Sequence, residues 1–296
     1  ALEYKPLQTY LGGQDLQAMF VHLGKLYGVF REKFLLVIKR WDLTDKTFKE
    51  TGHTIKNDKA WWEFDILEAW TFHHKLYLFY NTEGGEDGAS PYELWCYDFT
   101  TNKGLEDRTP KTLKADPKKP FWGQAVARGD GQLYVLGGLQ GYLGYNERFA
   151  RSKKVMRYDM RTESWEKCKD MPHARFRGGA VVLDQKLYVM GGCDIENDDT
   201  VLGSMDCFDF QTNVWTTVTT KEGKTLMMKD ARQEMRAVFV FEGKICVLGG
   251  ESEPPQKSTT YEMYDPETRE WSAPKRIKLE NEERVLVQVT SEFIAK

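Results

Sequence analysis

Short apolar runs and glycine pairs follow one another along the chain in a fixed order. Residues 125–138, AVARGDGQLYVLGG, hold two apolar runs around a polar turn and close on Gly137-Gly138. Tyr158-Asp159 follows, and Trp165 comes seven residues after Tyr158. Apolar runs of this length, bounded by turn residues, are typical of buried β-strands. The block predicts four strands: two before the glycine pair, one ending at the aromatic–acid step and one beginning at the Trp.

The same order recurs along the chain. Two further complete copies begin at Ala180 and Ala237. Two degenerate copies precede them: the copy from Ala18 has lost the glycine pair, and the copy from Ala69 has lost both the pair and the Trp. The aromatic–acid steps at 41, 97, 158, 208 and 264 are 56, 61, 50 and 56 residues apart. A period of this length indicates one supersecondary unit per repeat.

Because the glycine pair, the Tyr-Asp step and the Trp recur together, the sequence resembles the kelch-repeat family, whose period is about 50 residues. Kelch proteins form β-propellers with one four-stranded blade per repeat around a central channel. The resemblance implies an all-β fold, a six-bladed kelch β-propeller with four-stranded antiparallel blades, as a single domain over residues 1–296. The blades are expected at 18–52, 69–107, 125–168, 180–218, 237–273, and 285–296 together with 1–10.

The sixth blade is predicted from spacing at the two ends of the chain. Tyr4 lies 14 residues before Ala18, as Trp271 lies 14 residues before Val285. The N- and C-terminal strands are therefore expected to close the last blade together, which removes free sheet edges. The third strand of that blade is not accounted for. Since the chain does not start with Met, we interpret it as a piece of a longer protein.

Composition limits the classes of partner. The chain is 41% hydrophobic, enough for a core, and its net charge of −3 provides no general attraction to nucleic acid or membrane. No apolar run approaches 18 residues, and the N-terminus lacks the pattern of a signal peptide. Five cysteines without a CxxC pair argue against a disulfide framework and a zinc site. We expect a reducing, cytoplasmic setting.

Catalytic and cofactor motifs are missing from the sequence. It contains no GxSxG, phosphate-binding GxxxxGK or dinucleotide fingerprint. Of the five histidines only His73 and His74 are close in sequence, and adjacent side chains in a strand face opposite ways. The acidic run from Asp194 to Asp199 resembles a calcium loop only in charge. The sequence therefore predicts no enzyme, no cofactor and no metal site.

Arginines before the first strands are the first candidates for binding a partner. In kelch adaptors that recognise acidic peptides, arginines at these positions project toward the channel mouth, and guanidinium groups bind carboxylates bidentately. By this resemblance the partner-binding set contains Arg175, Arg177, Arg232, Arg236 and Arg284. The alternative is that each is an ordinary solvated arginine paired with a loop acid.

The loop 139–153 is the second candidate. It is unusually long and combines the residue types that anchor protein interfaces, namely Tyr142, Tyr145, Arg148 and Arg151. The alternative is that the tyrosines fold back over their own blade.

The function predicted from these features is protein binding through loops on one propeller face. The resemblance implies substrate recognition for a cullin-type ubiquitin ligase, with an acidic peptide segment as partner. The alternative is an actin-binding or actin-cross-linking propeller of the cytoskeleton. Oligomerisation, if any, is expected through regions outside this chain.

Overall fold

The computed structural model of the protein describes residues 15–32, 35–42, 44–45, 47–56, 64–82, 92–101, 103–107, 121–128, 131–140, 150–194, 200–235, 237–252, 256–257 and 260–276. These residues contain β-strands and no helix. The strands form five antiparallel sheets of four or five strands, here called blades I to V, and two separate two-stranded ribbons. Within each blade the four main strands lie side by side in chain order.

Blades I and II have four long strands each. Blade I consists of β1 (Asp15–His22), β2 (Lys25–Glu32), β3 (Leu35–Asp42) and β4 (Thr47–Lys56). Blade II consists of β5 (Phe64–Phe72), β6 (Lys75–Thr82), β7 (Tyr92–Asp98) and β8 (Lys103–Asp107).

Blades III to V add short accessory strands to the same plan. Blade III consists of β9 (Phe121–Arg128), β10 (Gln132–Gln140), the accessory β11 (Ala150–Arg151), β12 (Val155–Asp159) and β13 (Ser164–Lys167). Blade IV consists of β14 (Gly179–Leu183), β15 (Lys186–Met190), the ribbon β16 (Cys193–Asp194) and β17 (Thr200–Val201), β18 (Met205–Asp209) and β19 (Val214–Thr217). Blade V consists of β20 (Ala237–Phe241), β21 (Lys244–Leu248), the ribbon β22 (Glu251–Ser252) and β23 (Gln256–Lys257), β24 (Thr260–Asp265), β25 (Glu270–Trp271) and the accessory β26 (Lys275–Arg276).

The first strands of neighbouring blades contact one another: β1 with β5, β5 with β9, β9 with β14, and β14 with β20. They are the innermost strands of a propeller, as predicted. The structure describes five blades rather than the predicted six. Residues 285–296 and 1–10, assigned to the sixth blade, lie outside the described residues.

The core lies between the blades rather than within any one of them. Each of the four described blade junctions has its own cluster of buried apolar side chains. Between blades I and II, for example, Phe20 and Ile38 pack with Leu76 and Tyr97. Because each second strand is covered on both faces, it reads as a continuous apolar run, as Leu187 to Met190 illustrate.

The aromatic–acid step of each repeat has a physical cause in the hairpin formed by the third and fourth strands. The Asp that ends each third strand accepts hydrogen bonds from the backbone N–H groups two and three residues later, at 2.8–3.3 Å. This bonding fixes an Asx turn into the fourth strand. These residues are Asp42, Asp98, Asp159, Asp209 and Asp265.

Aromatic pairs close the same hairpin. Tyr158 lies directly opposite Trp165 in the strand register, with ring centroids 5.2 Å apart. Phe208 and Trp215 are 5.1 Å apart, and Trp41 and Phe48 are 5.0 Å apart in the degenerate first repeat. The seven-residue step in the sequence is thus a cross-strand aromatic pair across a tight turn.

The glycine pairs lie within or directly after the second strands, in a backbone conformation that other residues adopt only under strain. Gly191 and Gly192 have φ of 62° and 88°. A Cβ on Gly192 would lie 2.5 Å from the carbonyl oxygen of Phe176. The pair is therefore required both by conformation and by the close approach of the segment that joins blades III and IV.

Gly192→Ala is expected to destabilise the protein by about 1–3 kcal/mol more than Gly223→Ala. Gly223 has a similar φ of 81° but no atom within 4 Å of its added Cβ, so it is a matched control for backbone strain alone. Urea denaturation of the two variants measures the difference. Equal losses of stability would show that close approach does not require the glycine.

Glu68 provides a pH-dependent test of the inner wall. It lies on β5, and although part of the residue remains accessible, its carboxyl lies among protein atoms, and this burial raises its pKa to about 8. A raised pKa means that the fold favours the protonated acid. The stability that this provides is complete below pH 4.5, the ordinary pKa, and is lost as pH rises through about 8.

Glu68→Gln should therefore become more stable than the wild type, by about 2–4 kcal/mol, as pH is raised from 5 to 9. Melting temperatures measured across this range provide the check, with the exposed Glu270→Gln as control. A difference between Glu68→Gln and the wild type that does not vary with pH would contradict the burial of this carboxyl.

Candidate partner-binding face

One face of the propeller carries the glycine pairs and the segments that join successive blades. Antiparallel pairing sends the connections after second and fourth strands to this face, and the two-residue turns after first strands to the other. We call it the joining face. Loops and joining segments on a rigid scaffold are where binding residues concentrate.

Arg175 lies in the segment that joins blades III and IV, and it is 2% exposed. Its Nη1 donates to the carbonyl oxygens of Gly191 at 3.0 Å and Ser204 at 2.9 Å, and its Nη2 donates to Asp206 Oδ2 at 3.0 Å. Burial lowers the pKa of Arg175, and the adjacent Asp206 carboxylate opposes that effect. This guanidinium is an internal clamp on the glycine turn of blade IV.

Arg232 makes the same arrangement one blade further on. It is fully buried, and its Nη1 donates to the carbonyl oxygens of Gly249 and Thr260, each at 3.1 Å. Its Nη2 lies 2.7 Å from Glu262 Oε1 and 3.0 Å from Asp230 Oδ2. Glu262 also accepts hydrogen bonds from two backbone N–H groups of the joining segment.

Main-chain bonds of these arginines extend the clamp to the preceding blade. The carbonyl of Arg175 accepts the N–H of Gly138 at 2.7 Å, and that of Arg232 accepts the N–H of Gly192 at 3.0 Å. Each arginine thus bonds through its backbone to one glycine pair and through its side chain to the next. We call this arrangement the arginine clasp.

The clasp corrects the prediction for two of the nine candidate residues. Arg175 and Arg232 were expected to project toward a partner, but both are buried and their guanidinium groups bond within the protein. The sequence suggested a partner site because arginine before a first strand is compatible with either role. The third strand of each blade carries a carboxylate, Asp206 in blade IV and Glu262 in blade V, that pairs with the arginine. These acidic residues were the sequence signal for an internal role of the arginines.

Arg177 lies two residues before β14 and, unlike Arg175, is exposed. Its side chain is 45% exposed, and its Nε lies 2.8 Å from Oε1 of Glu234, which is 41% exposed. The guanidinium also stacks over the ring of Phe176 at 4.9 Å. Glu234 occupies in the next joining segment the place that Arg177 occupies in its own, two residues after a clasp arginine.

Backbone geometry at this pair is strained. Arg177 and Glu234 have φ of 58° and 48°, a region that side-chain-bearing residues rarely adopt. The N–H of Glu234 donates to the carbonyl of Arg177 at 2.9 Å, which locks the two joining segments together. The clasp beneath holds both turns, so the exposed ion pair is fixed in place. We call Phe176, Arg177 and Glu234 the rim.

The structure does not describe the side chains of the remaining candidates. Arg151 belongs to β11, where its backbone pairs with Leu139, and its side chain is not described. The others lie outside the described residues: Tyr142, Tyr145, Arg148, Arg236 and Arg284.

His173 was not predicted from the sequence. It is 53% exposed, and its Nδ1 lies 3.0 Å from Oδ1 of Asp206, the buried carboxylate that also holds Arg175. Thr217 donates to the same oxygen at 3.0 Å. His173 therefore reaches from the joining face to the clasp.

Other chemistry is limited among the described residues. They contain no group of three or more His, Cys, Asp or Glu side chains arranged for a metal ion. All five cysteines are free thiols, and burial raises the pKa of Cys207 to about 11 and that of Cys246 to about 12, so neither is a nucleophile near neutral pH. No helix in the described part of the chain is long and apolar enough to cross a membrane.

Comparison with known proteins adds a family match. The family model described as the KLHDC2/KLHL20/DRC7 Kelch-repeats domain matches residues 67–291. Human Kelch-like protein 38 is 36% identical over 152 residues, covering 48% of this chain and 21% of the relative. An F-box/kelch-repeat protein of Arabidopsis thaliana is 32% identical over 128 residues, covering 43% and 30%. Kelch domain-containing protein 10 of Xenopus tropicalis is 30% identical over 146 residues, covering 47% and 33%. The matched region thus spans a third or less of each relative.

Arg175→Met should lower the free energy of unfolding by about 3–5 kcal/mol, because it leaves the Asp206 carboxylate buried without its arginine. Arg177→Ala, which removes an exposed arginine, should cost less than about 1 kcal/mol. Urea denaturation midpoints of the two variants measure the contrast. Similar small losses from both would contradict the clasp, and the double variant Arg175→Met with Asp206→Asn should lose less than the sum of its single changes.

Proposed function

The chain belongs to the kelch-repeat family, and from that premise we propose that it is a protein-binding module whose partner docks on the joining face. Family membership confirms the resemblance on which the sequence prediction rested. Fold alone does not define function, so the proposal depends on the site itself. The observation that carries it is the rim: an exposed Arg–Glu pair held in strained backbone over a buried clasp.

The rim has the physical properties of an interface anchor. A guanidinium already stacked on Phe176 and oriented by Glu234 loses little side-chain freedom when a partner binds. Backbone strain at functional sites persists only where the surroundings enforce it, and here the arginine clasp does so. Arg is also among the residues that dominate binding energy at interfaces.

An acidic peptide segment is the partner class we propose. A carboxylate of the partner can displace Glu234 and take the bidentate geometry that Arg177 offers. The other candidates extend the same surface in this proposal: Tyr142, Tyr145, Arg148 and Arg151 from the long loop, and Arg236 and Arg284 before first strands. The module binds and does not catalyse.

The cellular role we propose is substrate recognition for a cullin-type ubiquitin ligase in the cytoplasm. The likeness to proteins named F-box/kelch-repeat protein and Kelch-like protein 38 supports it. In this role the propeller selects the substrate, and regions outside this chain make the contact with the ligase.

Rim variants test the proposal against the proteins captured by the immobilised propeller. Arg177→Ala should weaken capture of an acidic partner by about 5–30-fold, equivalent to 1–2 kcal/mol. Glu234→Gln should strengthen it, since it removes the competing carboxylate. Quantitative mass spectrometry of proteins captured by each variant is the measurement, and Lys186→Ala, on the other face, is the matched control.

The proposal would be supported if the captured amount of one protein falls with Arg177→Ala and rises with Glu234→Gln. Identical capture by the wild type and both rim variants would contradict it. Co-sedimentation with filamentous actin that Arg177→Ala leaves unchanged would favour the cytoskeletal alternative instead.

A further inference from the structure

A pocket lies on the face opposite the joining face, at the junction of blades I and II. Its volume is about 430 Å³, within the range of ligand pockets, about 300–1,000 Å³. It opens beside the turn after β1 and the turn after β7. Nothing in the joining-face proposal uses these residues.

Aromatic rings form the walls of this pocket. The His22 ring stacks on Phe99 of blade II, with centroids 5.0 Å apart and planes at 26°. Tyr27 meets His22 edge-on at 6.1 Å, and His53 meets Phe99 edge-on at 5.2 Å. The His53 Nδ1 lies 3.1 Å from the hydroxyl oxygen of Tyr97, which orients this second histidine. The walls present ring faces and edges, the surfaces that aromatic side chains prefer to contact.

The strand register determines the charge of the pocket. Tyr27 lies directly opposite Arg40, so both side chains belong to the face of blade I that looks toward blade II. Lys39 and Glu50 pair on the other face, where Lys39 Nζ lies 3.0 Å from Glu50 Oε1. Glu50 thus lines the pocket with a side chain that is 66% exposed, and its carboxylate is paired with Lys39.

Arg40 is the arginine that lines the pocket. It is exposed and forms no hydrogen bond or salt bridge with another described residue, although its charge acts on Asp42 of the same strand. A guanidinium beside an aromatic wall favours a carboxylate next to a ring.

Leu23 is an exposed apolar side chain at the edge of the pocket. Each of the four described two-residue turns after a first strand begins with a residue of positive φ, 47–52°. Three of those residues are polar: His73, Asp184 and Glu242. In blade I the residue is Leu23, which is 85% exposed at the pocket edge. An apolar side chain held out in water at a strained position beside aromatic walls is suited to contact with a partner.

A bulge in the outer strand opens the pocket. The register of β3 and β4 passes from Ile38–His53 to Lys39–Glu50, so Thr51 and Gly52 have no opposite residue. Thr51 Oγ1 bonds back to the carbonyl of Ile38, which fixes the bulge. Bulges of this kind re-aim side chains next to binding sites.

We propose that this pocket is a second docking site, which binds a partner segment carrying an aromatic side chain next to a carboxylate. The ring packs over the contacting rings of Tyr27, His22 and Phe99, the carboxylate meets Arg40, and Leu23 covers an apolar neighbour. The propeller then holds two protein segments at once, one on each face. Failure of this inference leaves the joining-face proposal untouched, because the two sites share no residue.

Blocked peptides separate the ring from the charge. The probes are acetyl-Glu-Phe-Gly-amide, its Gln-Phe-Gly analogue and its Glu-Ala-Gly analogue, titrated against the isotope-labelled chain and followed by NMR. The Glu-Phe peptide should bind with millimolar affinity and shift resonances of His22, Tyr27 and Phe99. The Gln analogue should bind at least about fivefold more weakly, roughly 1 kcal/mol, and the Ala analogue should not bind.

Arg40→Gln should reduce the affinity for the Glu-Phe peptide to that of the Gln analogue and leave the latter unchanged. Arg276→Gln, which changes an exposed arginine on β26 of blade V, should have no effect. Spectra of each variant without peptide show whether it is folded. No shift at 10 mM peptide, equal binding of all three probes, or no effect of Arg40→Gln would overturn the proposal. Binding of free 3-phenylpropionate as tight as that of the peptide would overturn the choice of a peptide segment.

Discussion

The arginine clasp is the interaction on which the placement of blades III to V depends. A four-stranded blade cannot cover its own faces, so each needs its neighbours, and the joining segments must bring successive blades to a fixed distance. Arg175 and Arg232 meet this need with one residue each, bonding by backbone to one glycine pair and by side chain to the next. A buried arginine left unpaired is costly, so Asp206 and Glu262 are integral to the device.

The clasp also explains how a short, exposed rim becomes a rigid surface. Two residues after each clasp arginine, the chain turns through positive φ and presents Arg177 and Glu234 to solvent. Because the clasp fixes these turns, Arg177 and Glu234 cannot relax out of their positive-φ conformation.

Sequence reasoning predicted what is local and repeated. The Asp turns, the cross-strand aromatic pairs and the glycine pairs follow from spacing, because each depends on residues within one hairpin or one blade. The role of the arginines could not be decided in this way. Arg175 and Arg177 are only two residues apart in the sequence, yet Arg175 is buried and Arg177 is exposed. Pairing with Asp206, 31 residues away, makes the difference.

The pocket at blades I and II was beyond sequence analysis for a related reason. Its walls come from the turns of two blades and from a bulge at Thr51, and no spacing in the degenerate repeats predicts that His22 stacks on Phe99. Both proposed sites depend on the fixed placement of neighbouring blades, which the clasp provides for blades III to V and apolar packing provides for blades I and II.

Amide hydrogen exchange at the glycine pairs tests this account most directly. If the clasp is formed in solution, the N–H groups of Gly138 and Gly192 are protected like those of the core strands, and Arg175→Met lowers the protection at Gly138 whereas Arg177→Ala leaves it unchanged. Exchange of the Gly138 and Gly192 amides in the wild type as fast as in an exposed turn such as that at Gly223 would contradict it.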